Sequence, residues 1–161
     1  METVVAVVGT RFFSPVGELG LRAGPRGLSE VRWLRNGEDW PQAEHSVLAQ
    51  AVSALERYFH GHRLSSRVPL DLLALTPFRR RVMLTLRARV PPGEVVSYGE
   101  LACLAGHPGA ARAVGGVMAQ NNLPLFVPCH RVVGATGPGG FGPGLGLKQK
   151  LLRLEGFELA I

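Results

Sequence analysis

The chain has 161 residues, 46% of them hydrophobic, with a net charge of +6 and two cysteines. That is length enough for one domain or two small ones with a buried core, and too little cysteine for a disulfide scaffold. The opening METVVAVVGTRFF has no basic leader and is interrupted by Gly9 and Arg11, so neither a secretion signal nor a membrane span is expected, and the thiols are expected to stay reduced in a cytoplasmic protein.

The charge is lopsided. Arginines and acids balance over residues 1 to 75, and the whole excess falls after them, where ten cations meet only Glu94, Glu100, Glu155 and Glu158. A solvated basic face and a surface built for a polyanion such as nucleic acid both fit this distribution.

Over the first 40 residues, short apolar runs (VVAVV, RFFSPVGELGL, EVRWL) are separated by Gly, Pro and Asn-Gly signals, the pattern of a few antiparallel strands. The period then changes: Leu48, Ala51, Val52, Leu55, Tyr58 and Phe59 fall on one helical face, which predicts a helix over 44–60. The polar segment HGHRLSSRVPLD shows no packing pattern and reads as a linker. Thr76-Pro77 is a good N-cap followed by a good first helical residue, opening a helix that stops near Arg89, before Pro91-Pro92-Gly93. Ser97-Tyr98-Gly99-Glu100 has the form of a capping box and starts a short helix ended by Gly106. A further helix follows over AARAVGGVMAQN. Helix, short turn, helix beside a basic face suggests a helix-turn-helix.

Inside that second helix, Gly115 and Gly116 each cost about 1 kcal/mol relative to Ala. With Ala110, Ala111, Ala113 and Ala119 they make a surface of little bulk, on which Arg112 is the only long charged side chain. Such a surface lets another backbone approach closely, and packing on the preceding helix would account for the glycines; Arg112 fits either a solvated surface or a nucleic-acid contact. From Pro124, LPLFVPCHRVV reads as extended. GATGPGGFGPGLG then has seven glycines in thirteen residues, and LKQKLLRLEG forms a last helix. GPGGFG matches a dinucleotide fingerprint, but the further strand with its acidic residue does not follow it. The fold class expected is α/β: an antiparallel sheet with a helix over 1–70, then a mostly helical domain with a helix-turn-helix over 76–161.

Cys129 and His130 are adjacent, and a cysteine becomes a good nucleophile only when a base or a positive environment lowers its pKa from about 8.5. On a strand the two side chains would point to opposite faces, so direct action needs a turn at Cys129 or a bridging water. A base needs an orienting group, and Glu155, placed where a helix closes before Gly156, is the better of two downstream carboxylates. A zinc site from Cys103, His107, Cys129 and His130 is awkward, since neighbours chelate poorly and no C-x-x-C occurs. Cys103 reads as a packed small hydrophobe. At this level a reactive centre and an ordinary buried thiol both remain open.

The stretches VPPGEVVSYGELACLAGHPGAARAVGGVMAQNNLPLFVPCHRVV and LKQKLLRLEG closely resemble the O6-alkylguanine-DNA alkyltransferases, densely from about Thr76 to Gly156. SPVGELGL and the helix ending in YFHG match more loosely. The resemblance implies a single-turnover repair reaction on double-stranded DNA: an alkylated guanine, or an O4-alkylated thymine, is flipped out and its alkyl group moves irreversibly to Cys129. It further implies that His130 acts as base through a water, that Glu155 orients it, and that Asn121 braces the turn. Tyr98 would assist the leaving base and turn the target phosphate, and Arg112 would fill the gap in the stack. Met118, Pro124, the carbonyls of Cys129 and Val132, Phe141 and an N–H near Gly142 would form the pocket. Phe141 and Pro143 stand where some relatives carry Tyr and Gly, which bears on tolerance for larger alkyl groups. No cofactor, metal or membrane is expected, and the chain is expected to act as a monomer. A lesion binder without transfer, a helix-turn-helix regulator and a thiol hydrolase are rival readings, disfavoured by the presence of Cys129 beside DNA-binding elements.

Overall fold

The computed structural model describes residues 7–160. The chain divides into two compact units, with the break between Ala74 and Leu75. Most of the strand expected over VVAVV lies outside the described residues.

In the first unit, β1 (Val8–Ser14), β2 (Gly17–Gly24) and β3 (Gly27–Trp33) form an antiparallel sheet in chain order. The apolar run RFFSPVGELGL folds back on itself: Ser14 Oγ donates to the Gly17 carbonyl, and Gly17 takes a φ of 120°. The helix α1 (Ser46–Phe59) starts two residues later than predicted, because the His45 side chain accepts the Val47 N–H as its cap. Its buried Leu48, Ala51, Leu55 and Tyr58 lie against the sheet, whose Leu19, Leu21 and Ala23 are fully buried. Each such leucine is worth roughly 1.5–3 kcal/mol.

The segment over 60–71 corrects the linker reading. Leu28 and residues 69–71 exchange backbone hydrogen bonds, Leu28 N–H to the Pro69 carbonyl and Asp71 N–H to the Leu28 carbonyl, both 2.8 Å. A Cβ on Gly27 would lie 2.5 Å from the Pro69 oxygen, so glycine is what lets the segment dock. Such pairing is non-local and leaves no periodic mark in a short polar stretch.

The second unit is α2 (Pro77–Arg89), β4 (Val96–Ser97), α3 (Tyr98–Leu104), α4 (Ala111–Ala119), β5 (Val132–Val133) and α5 (Leu145–Leu154). The start signals read from the sequence are in place. Thr76 Oγ1 accepts the Arg79 N–H at 3.3 Å, and Ser97 and Glu100 complete a reciprocal capping box. Helices α2, α3 and α4 pack together around Val82, Leu86, Leu101, Ala102 and Val114, all fully buried. The two-residue strands β4 and β5 pair in parallel, Val96 with Val132 and Ser97 with Val133. This pairing sets the first turn of α3 beside the residues that follow Cys129.

Candidate active site

Residues 123–131 are buried throughout but are not the extended run that their composition suggests. Asn121, just past α4, closes them into a compact turn: Nδ2 donates to the Val127 carbonyl at 2.9 Å, and Oδ1 accepts the Leu123 N–H at 3.0 Å. Val127 N–H returns to the Leu123 carbonyl at 2.9 Å, and the buried Leu125 sits at φ 74°, a left-handed conformation that non-glycine residues seldom take. Pro124 and Pro128 have no N–H to leave unsatisfied. Cys129–Arg131 then form a single 3-10 turn before β5. Cys129 and His130 are 8% and 1% exposed. A strand would have sent these neighbours to opposite faces, and the turn buries both.

His130 Nε2 is 2.8 Å from Glu155 Oε2, and both side chains are almost fully buried. Arg131 grips the same carboxylate with two hydrogen bonds, Nε to Oε1 at 2.9 Å and Nη2 to Oε2 at 2.8 Å, while its Nη1 donates to the Val90 carbonyl. Burial alone would raise the Glu155 carboxyl, but the hydrogen bonds from Arg131 and His130 outweigh it and hold the pKa at about 2. Burial pushes the imidazole of His130 down, against the pull of Glu155. A neutral imidazole beside an ionised carboxylate carries its proton on Nε2, which leaves the lone pair on Nδ1. That atom is buried and has no hydrogen-bond partner among the described residues.

Burial also raises the Cys129 thiol, and two neighbours oppose it: the Asn121 side chain, by hydrogen bonding, and the charge of Lys148. Lys148, on α5, is fully buried. Sequence reasoning passed over it because a lysine on a helix normally faces water. Its spacing held the signal, since Lys148 stands three and four residues before Leu151 and Leu152, on the apolar stripe of α5. Arg131 was missed because an arginine is seldom buried unless it is paired, and its partner Glu155 lies 24 residues away.

The other expected site residues fall around this centre. Tyr98 is the first residue of α3, and its hydroxyl accepts the Gly140 N–H at 3.2 Å, which ties it to the glycine-rich loop. A Cβ on Gly139 would lie 2.9 Å from that hydroxyl, so the close approach needs glycine. Met118 and Pro124 are buried, Val132 is fully buried with its carbonyl on Lys148, Phe141 is half-buried and Gly142 is exposed. Arg112 is exposed in the first turn of α4, with no partner among the described residues. Close helix packing does not explain the paired glycines: a Cβ at Gly115 would make only an ordinary 3.9 Å contact with Tyr98, and one at Gly116 would meet nothing. Cys103 is exposed on α3, contrary to the reading of it as a packed hydrophobe. Among the described residues, no helix is long and apolar enough to cross a membrane.

Both units match known families. Residues 8–72 fit the ribonuclease-like domain, and residues 77–157 the DNA binding domain, of 6-O-methylguanine DNA methyltransferase. The human methylated-DNA-protein-cysteine methyltransferase is 37% identical over 167 residues, spanning 93% of this chain and 81% of its own length. The Mycobacterium leprae protein of that name is 44% identical over 128 residues, spanning 79% and 72%. The crystal structure of the Mycobacterium tuberculosis protein in complex with DNA aligns with a TM-score of 0.80 at 39% identity, covering 93% of each chain. The chain therefore belongs to the 6-O-methylguanine DNA methyltransferase family, whose members include the methylated-DNA-protein-cysteine methyltransferases.

Proposed function

We propose that this methyltransferase repairs double-stranded DNA by moving an alkyl group from O6 of guanine, or O4 of thymine, irreversibly onto Cys129. The observation that carries the reading is the shared buried turn. It holds Cys129 next to a histidine whose Nε2 is committed to Glu155 and whose Nδ1 is left to take a proton.

The thiol proton passes through a water to His130 Nδ1, and the thiolate attacks the alkyl carbon in line with the C–O6 bond. The S–C bond forms, the C–O6 bond breaks, and its electron pair goes to the guanine. Tyr98 donates its O–H proton to the leaving base and is reprotonated from the histidine. In sum a thiol and an alkylguanine become a thioether and guanine. No group in the site removes an alkyl from a thioether, so each molecule acts once. Asn121 holds the turn. Met118, Pro124, Phe141, the carbonyls of Cys129 and Val132, and the Gly142 backbone enclose the extruded base.

Extruding the base costs a few kcal/mol. Arg112, exposed and with no partner among the described residues, fills the space it leaves in the stack, and the flat surface at Gly115 and Gly116 lies against a minor groove only about 6 Å wide. The chain works as a monomer in the cytoplasm. Incubation with a duplex containing methylated guanine tests the reading: the lesion disappears in proportion to protein added, and Cys129→Ala binds the duplex without removing it. Undiminished lesion loss with Cys129→Ala overturns the proposal. Arg112→Ala should weaken lesion binding and repair several-fold while shifting stability by no more than about 0.5 kcal/mol. Normal repair of duplex substrate by that variant removes the role assigned to it.

A further inference from the structure

Helix α2 has a second apolar stripe that its own unit leaves uncovered. Val82, Met83 and Leu86 face the core, while Leu84 and Ala88, one turn apart on another side of the helix, are exposed. Leu84 is 43% exposed and Leu104, the last residue of α3, is 39% exposed. Together with Phe78 these side chains line an open groove of about 880 Å³ that runs along α2 and past the end of α3. His107 meets Phe78 edge to face, ring centroids 5.0 Å apart, and lines the groove with it. Single leucines scattered over a surface call for no explanation, but apolar side chains gathered in one concavity mark a place of contact.

The charges around this groove have one sign. Arg80, Arg81 and Arg89 line it, and no aspartate or glutamate does among the described residues. The acids of this unit serve elsewhere: Glu100 in the capping box of α3, Glu155 with Arg131, and Glu158 with Arg153. No ion pair among the described residues uses Arg81 or Arg89. Arg81 is also held in place, since its Nε donates to the Ala105 carbonyl at 2.5 Å and its Nη2 sits where a Cβ on Gly106 would come within 3.1 Å. A guanidinium fixed in this way has little freedom left to lose when a carboxylate docks on its outer donors.

The two halves of the lining together select the occupant. A DNA backbone would satisfy the arginines but brings nothing to cover Phe78, Leu84 and Leu104. A wholly apolar partner would cover the leucines and leave the guanidiniums facing it without acceptors. A protein segment that sets carboxylates beside leucine or phenylalanine side chains meets both demands, and arginine is the cation best suited to such a contact. None of the residues assigned to the lesion or to the transfer lines the groove.

We propose that the groove along α2 is a docking site for an acidic amphipathic segment of a partner protein, its apolar side chains resting on Phe78, Leu84 and Leu104 and its carboxylates on Arg81 and Arg89. Nothing in this depends on the role of Cys129.

The test uses the full chain and a displayed library of random peptides of about twelve residues. Selection on the wild type should enrich sequences that combine Asp or Glu with Leu, Ile or Phe. The most enriched peptide, synthesised with a fluorescent label, should lose at least about tenfold in affinity for Leu84→Glu, which sets a charge in the apolar contact, and about threefold for Arg89→Gln, which removes one exposed cation. Both substituted side chains are exposed, and circular dichroism checks that each variant folds. Binding of an undamaged duplex should stay within about twofold of wild type in both. No enrichment, enriched peptides without acids, or an unchanged affinity in either variant overturns the inference. A loss of duplex binding equal to the loss of peptide binding assigns the groove to DNA and overturns it as well. Should Leu84→Glu fail to fold, Arg89→Gln decides, measured against the same peptide with its carboxylates replaced by amides: the amide peptide should bind more weakly and be indifferent to the substitution, and any other result overturns the docking site.

Discussion

Glu155→Gln should lower the unfolding free energy by about 3–5 kcal/mol, the usual cost of removing one partner from a buried ion pair. The carboxylate accepts two hydrogen bonds from Arg131 and one from His130. A carboxamide offers a single acceptor oxygen and presents an N–H₂ group to a guanidinium, so Arg131 is left charged, buried and half-partnered. Denaturant unfolding of the two proteins at pH 7 measures the difference, and a loss below about 1 kcal/mol would show that the cluster is not what holds this end of α5. The same carboxylate fixes an acid limb. Its pKa falls from 4.5 to about 2 on folding, so the unfolded chain takes up a proton that the folded chain refuses. Its stabilisation, about 3 kcal/mol from the shift, is complete above about pH 4.5 and is lost as the pH falls toward 2.

His130→Gln should behave in the opposite way, losing rate rather than stability. Its amide can still donate to Glu155, which also keeps both bonds to Arg131, so no buried charge is orphaned. It is no base at neutral pH, however, and removing a positioned general base commonly slows a reaction by about 10²–10⁴-fold. Single-turnover methyl transfer at pH 7 reads the effect, and a rate within threefold of wild type, roughly 0.7 kcal/mol in barrier, would exclude His130 as the base. The variant also isolates a second acid limb. Because burial lowers the folded-state pKa of His130, wild-type stability should already fall as the pH drops below about 6.5, where the unfolded histidine protonates and the buried one does not. That upper limb should vanish in His130→Gln, and the lower one, from Glu155, should remain.

What the sequence made legible was mostly local. The Ser97–Glu100 box and the Thr76 cap are decided within four residues, and the apolar stripe of α1 by its own period; all three stand in the structure. The Cys129, His130 and Glu155 grouping was available as residue types, and the resemblance joined them. The acceptor turn was not legible. LPLFVPCHRVV has strand composition, and what bends it is the Asn121 side chain together with a left-handed Leu125, neither of which leaves a pattern in an apolar run. Lys148 and Arg131 look like surface cations until the helix stripe and the buried carboxylate are seen together. Gly115 and Gly116 read from the sequence as a packing surface, and the structure removes that explanation, since a Cβ at either would find room.

In the proposed reaction the turn, and not exposure, makes a thiol reactive. The chain supplies its own control: Cys103 is exposed and Cys129 is buried. Wild-type protein incubated with methylguanine duplex, digested and mapped by mass spectrometry should carry a single methyl on the peptide containing Cys129, with the Cys103 peptide unmodified. A methyl group found on Cys103, or loss of the lesion with neither cysteine modified, would contradict the account.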